Sequence, residues 1–275
     1  MQVRGVGGWW LMVGGSAAVL PTTTNNQRPT LLSLVRAIFG IYLFIHFASL
    51  IPWANEVFAE VLPRAASPLL HLFPNILAVA DVATPLLVIV TIASLFFSAG
   101  RFDRIAAIVM WYVLACLFGR NPLISNPSLP FAGWLLLMHA LLPRNARELP
   151  RPFFAALWTV MSLGYTYSGW TKLASPSWVD GTAMLRVIQN PLARPSFIRD
   201  LVLQTPEPIL QFATWGALAL ELLYAPLALI RPVRPVIWLA MLLMHLGLMV
   251  LIDFADLSFM MVIVHLYAWP FRRTS

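Results

Sequence analysis

Long apolar runs, cut by short connections rich in arginine and proline, decide what this chain can fold into. They cover Leu31 to Leu50, Ile76 to Phe97, Ile105 to Phe118, Phe131 to Leu142, Phe153 to Thr171, Ile209 to Ile230, Val236 to Ile252 and Leu257 to Phe271. A helix needs roughly 20 apolar residues to cross a bilayer, and hydrocarbon admits only backbones that satisfy their own hydrogen bonds. The first, second, fifth and sixth runs meet that length. The third, fourth and eighth are short, and the fourth suits a re-entrant or buried piece as well as a crossing. The expected fold class is all-α, a polytopic membrane helix bundle of about eight transmembrane helices.

Composition agrees with this reading. Hydrophobic residues make up 60% of the chain and charged residues 11%, with a mean hydropathy of +0.79, outside the range of soluble domains. The net charge of +7 does not imply nucleic acid, because the arginines stand singly or in pairs between apolar runs rather than in a stripe. They report topology instead. Eight crossings put Arg28, Arg36, Arg101, Arg104, Arg144, Arg147, Arg151, Arg231, Arg234, Arg272 and Arg273 on one side. By the positive-inside rule that side is cytoplasmic, so both termini face in and the expected location is the inner (plasma) membrane. Residues 1–30 read as a flexible lead-in and 31–275 as the transmembrane domain. The single cysteine, Cys116, excludes an intrachain disulfide and a cysteine metal site.

Lys172 is the only lysine in the chain and ends the fifth run. Unlike a guanidinium, an ammonium sheltered from water can lose its proton, so Lys172 is a candidate general base. Tyr165, Ser168 and Lys172 follow at helical spacing and share a face, and Gly164, Ser168 and Gly169 offer small sites for a neighbouring helix. The plain alternative is an aromatic belt of Tyr165, Tyr167 and Trp170 with a lysine snorkelling to the headgroups. Glu221 and His245 lie within the sixth and seventh runs, on antiparallel helices joined by the Arg231 to Pro235 turn. At about 1.5 Å per residue both sit on the order of 14 Å from that turn, so they are expected to pair, either as part of a site or as a buried clamp. His46 and Asp81, in the outer parts of the first two runs, either line the same outward cavity or tie helices together. His139 and His265 likewise read as helix-to-helix hydrogen bonds. Asp81 precedes Pro85, expected to kink its helix. Val179 to Ile188 reads as one outer-face interfacial helix roofing the cavity beneath Lys172. The histidines have no metal-ligand spacing, and no phosphate loop, hydrolase elbow or dinucleotide motif is present, so no metal is expected.

The segment Tyr167-Ser168-Gly169-Trp170-Thr171-Lys172-Leu173, with Pro176, Trp178, Asp180 and Gly181 after it, resembles the signature of the HTTM domain, the transmembrane module of vitamin K-dependent γ-carboxylases. Trp215, Glu221-Leu222-Leu223 and His245, then Phe254, Ser258 and Met260, resemble the family's second block, and Leu34 to Gly40 its opening helix. DoxX-like membrane proteins share a looser form of the glycine-to-lysine pattern. The resemblance implies that Lys172 deprotonates a reduced quinone of the vitamin K type, with His245 as hydrogen-bonding partner, Glu221 behind it and Trp178 to Gly181 above. Thr171 stands where the carboxylases carry a first of two lysines. The carboxylases continue into a large soluble domain, whereas this sequence ends at Ser275, so glutamate carboxylation is not expected. The implied role is modification of a separately encoded peptide or protein, as in the maturation of a sporulation-delaying peptide toxin. The alternative is a non-catalytic membrane scaffold or a transport- or export-related component. The cosubstrate itself is not read from the residues.

Overall fold

The computed structural model describes residues 30–58, 82–121, 126–143, 146–253 and 256–270. Asp81 and the expected lead-in at 1–30, apart from Thr30, lie outside the described residues. Among the described residues every named element is helical, so the all-α expectation holds.

Helix α1 (Leu31–Leu50) starts at Thr30, whose hydroxyl accepts the Ser33 amide at 3.2 Å. It buries Val35, Phe39, Leu43 and Phe47, a four-residue repeat forming one stripe, while Ile41 and Ile45 on the other side are more than half exposed. A 3-10 turn and α2 (Ala54–Val57) prolong it. Helix α3 (Ala83–Ser98) packs on α1, and Gly40 makes the approach possible: a β-carbon there would lie 2.6 Å from the Ser98 Cβ. Ser98 donates its hydroxyl to the Ala37 carbonyl at 3.0 Å across the same seam. Pro85, expected to kink the second run, stands in the first turn of α3, where its missing N–H interrupts no helical bond.

Helices α4 (Asp103–Arg120) and α5 (Leu129–Leu141) continue the first half by packing in succession. The second half gathers on α6 (Arg151–Lys172), against which α10 (Glu207–Leu222) and α11 (Tyr224–Leu229) pack. Between them run three short helices, α7 (Pro176–Val179), α8 (Ala183–Gln189) and α9 (Phe197–Leu203). Helix α12 (Arg234–Leu251) packs on α13 (Asp256–Tyr267), which also touches α1 and α5 and so joins the two halves.

The expected single helix over Val179 to Ile188 is two. Asp180 accepts the Thr182 amide at 2.8 Å and its hydroxyl at 2.7 Å, and Gly181 follows at φ +85°, a conformation that breaks a helix. The sixth run is also broken. Its helix stops at Leu222, and Thr166 of α6 stitches the gap: its hydroxyl accepts the Ala225 amide at 3.0 Å and lies 3.3 Å from the Glu221 and Leu222 carbonyls. Pro226, two residues into α11, cannot supply the N–H that a continuous helix needs.

Two helical stretches, 31–57 and 231–251, are long and apolar enough to cross a membrane, and α3, α5 and α13 are shorter apolar helices. Large apolar side chains cover much of the exterior, including Ile89, Ile92, Ile105, Trp134, Leu163, Phe212 and Leu243. Several polar side chains are inside and paired: Ser94 with the Thr91 carbonyl, Thr214 with the Leu210 carbonyl, His139 with the Tyr267 hydroxyl.

Candidate functional site

The seam between α6 and α10 builds the site. Gly169 lets the backbones touch there: a β-carbon would lie 2.7 Å from the Leu222 amide nitrogen and 3.1 Å from the Glu221 carbonyl carbon. Gly164, expected to serve the same purpose, instead faces the Phe131 ring of α5. The close seam brings the last residue of α6 to the last turn of α10. Lys172 Nζ lies 2.5 Å from Glu221 Oε2 and 2.7 Å from Ser168 Oγ, with the Trp178 ring centre 5.1 Å away on the face of α7. Glu221 is buried, whereas the Lys172 side chain keeps 22% of its surface exposed. An ion pair and a cation–π contact hold the nitrogen in place.

About two turns deeper on α6, the Tyr165 hydroxyl lies 2.9 Å from His245 Nε2 of α12, and His245 Nδ1 lies 3.4 Å from the Ser258 hydroxyl of α13. Tyr165 and His245 are both buried. The expected direct pairing of Glu221 with His245 is replaced by two separate pairs. The reason is helix packing: α10 lies against α6 far more than against α12, so each deep polar group finds its partner on α6.

Both pairs open on one cavity of about 290 Å³. Its polar lining includes Ser128, Tyr165, Ser168, Lys172, Glu221 and His245; its walls are largely apolar, with Phe131, Met184, Val187, Met244, Leu248 and Met261. Such a mostly greasy pocket with a few convergent polar groups suits a small hydrophobic molecule carrying a hydroxyl or carbonyl. The roof is tied to α10 twice: the Trp215 indole donates to the Val179 carbonyl at 3.1 Å, and the Met184 amide donates to the Thr214 hydroxyl at 3.0 Å. The larger groove between α4 and α5, about 330 Å³, is lined by Trp111, Phe118 and Trp134 and holds no titratable side chain.

Of the residues expected at the site, Lys172, Glu221, Ser168, Tyr165, Trp178 and His245 line this cavity. Asp180 and Gly181 do not. Asp180 is exposed, its carboxyl held below the usual carboxylate range by the hydroxyl and amide of Thr182, and Gly181 packs on Trp215 and Gln211. His46 also lies elsewhere, 3.1 Å from Asp256, whose other oxygen accepts the Asn126 amide at 2.6 Å. Asp81 is outside the described residues. Sequence reasoning missed Thr166, which carries no pattern of its own, and the apolar walls, which look like any core face. Pro226 signals the broken helix beside Glu221. Among the described residues no group of histidine, cysteine and carboxylate side chains could hold a metal. Compared with known proteins, the chain matches no family model, no curated protein and no solved structure.

Proposed function

We propose that this chain is a polytopic, HTTM-type membrane protein of about eight spans, both ends cytoplasmic, and that Lys172 with Glu221 takes a proton from a hydrophobic cosubstrate such as a lipid quinol. The observation that carries this reading is the Lys172–Glu221 pair opening onto a greasy cavity beside Tyr165 and His245. The large apolar side chains on the exterior support the bilayer as solvent. The chemistry needs a free amine. Passing the Lys172 proton to the Glu221 carboxylate yields one, and the amine then accepts the proton of a quinol hydroxyl, leaving a quinolate beside the regenerated ammonium. Tyr165 and His245, which line the same cavity, would then hydrogen-bond the opposite oxygen of such a ring. The activated quinolate would serve to modify a separately encoded peptide or protein.

Lys172→Arg tests this. Arginine keeps the charge and the partner for Glu221 but cannot act as a base. Purified protein should bind a reduced menaquinone or vitamin K hydroquinone, read as quenching of tryptophan fluorescence, and consume it under oxygen. The variant should bind and not consume. Equal consumption by the variant, or absence of binding, removes the catalytic reading.

A second reading rests on the same geometry. Because Ser168 and Glu221 already engage the lysine nitrogen, the pair also works as a clamp between α6 and α10 in a scaffold or transport-related protein. A clamp keeps its stability in Lys172→Arg and consumes no quinol. The span count is tested by labelling cysteines introduced one per connection in a Cys116→Ser background.

A further inference from the structure

A second cavity, about 500 Å³, lies between the start of α1, the turn from α3 to α4 and the end of α5. Its charged lining is Arg36, Arg104 and Asp103, so two guanidinium groups face one carboxylate and leave one positive charge. Asp103 compensates weakly. One of its oxygens accepts the Arg104 amide at 3.0 Å, and the other stands 3.7 Å from Arg36 Nη1, beyond hydrogen-bond reach. Among the described residues Arg36 makes no hydrogen bond, and its Nε is buried without a partner. Arg104 donates one N–H to the Leu142 carbonyl, of the five its guanidinium carries.

The backbone is arranged around this charge. Gly100, at φ +71°, leaves space for Arg36: a β-carbon there would sit 2.3 Å from Nη2. Phe102, at φ +52°, is the only described residue other than glycine in the left-handed region, and it turns the chain so that α4 starts at the cavity, where Phe102 itself caps no amide and Asp103 takes the Arg104 amide alone. Helix α1 also starts there, with Thr30 and Ser33 in the lining. Two helix N-termini and two arginines thus converge on one polar cavity, an arrangement that favours an anion.

We propose that this cavity is a binding site for a phosphate group. The group comes either from a phospholipid headgroup or from a free phosphate, and the shared chemistry is a tetrahedral anion accepting from the guanidinium groups of Arg36 and Arg104. This site is separate from the Lys172 cavity and does not depend on quinol chemistry.

The test uses the full chain purified in detergent, with three probes: phosphatidylglycerol, inorganic phosphate, and diacylglycerol, which carries the tails without phosphate. A saturable rise in Tm with phosphatidylglycerol alone identifies a lipid headgroup site, and a rise with inorganic phosphate as well identifies a general phosphate site. Arg36→Gln should weaken the effective ligand at least about tenfold. Arg101→Gln, an exposed charge outside the cavity lining, should leave it unchanged. If Arg36→Gln does not give monodisperse protein, Arg104→Gln is read in its place. The proposal is overturned if neither phosphate probe raises Tm, if diacylglycerol raises it equally, or if the folded variant responds as the wild type does.

Discussion

Lys172 Nζ and Glu221 Oε2 meet at 2.5 Å across a seam that only a glycine at position 169 permits. The pair therefore depends on a residue that carries no charge and makes no polar contact of its own.

Gly169→Ala is expected to force α10 away from α6, because the new methyl would sit 2.7 Å from the Leu222 nitrogen, a backbone atom that cannot move alone. The cost should be about 1–3 kcal/mol, read as a lower melting temperature in detergent. Gly216→Ala and Gly247→Ala are the controls, since a β-carbon at either meets nothing within 4 Å. They should be neutral or slightly stabilising.

Removing one partner of the ion pair should cost more than removing both. Glu221→Leu leaves the lysine nitrogen without its carboxylate and should destabilise by about 1–3 kcal/mol, discounted for the partial exposure of Lys172. The double variant Lys172→Met with Glu221→Leu should recover most of that loss. A double variant less stable than either single one would show that the pair contributes net stability.

Tyr165→Phe deletes the hydroxyl beside His245 Nε2 while keeping the ring against Tyr224. A loss of about 1–2 kcal/mol is expected, with the Lys172–Glu221 contact intact. If quinol binding is measured in parallel, its weakening without loss of the Lys172-dependent consumption would assign Tyr165 to positioning.

The turn at Asp180 should respond to acid. Its carboxyl titrates below the usual range, so its contribution to the α7–α8 turn is complete above the unfolded value of about 4 and fades as pH falls through the lower folded value. Hydrogen exchange in residues 176–190, corrected for intrinsic rate, should lose protection below that range. Asp180→Ala should show the loss at every pH.

Helices were legible in this sequence wherever a run is apolar and uninterrupted, because a buried stripe such as Val35, Phe39, Leu43 and Phe47 repeats with the helical period. Their breaks were legible less well. Pro226 and Gly181 are visible as residues, but the interruption at 223 depends on a hydroxyl some sixty positions away, at Thr166. The gathering of Tyr165, Ser168 and Lys172 on one side followed from spacing. The choice of partners did not, since Glu221 and His245 have similar depth and only the packing of α10 on α6 separates them.

The roof is pinned to α10 at Val179 and at Met184. Lifting it would break both ties at once, whereas the flank offers less resistance if the proposed cosubstrate is to enter. There α5 and α6 meet at the ring of Phe131 lying on Gly164, a side chain that can swing where a backbone cannot. On the proposed function, a lipid-borne molecule reaching Lys172 from that side would have to displace this one phenyl group.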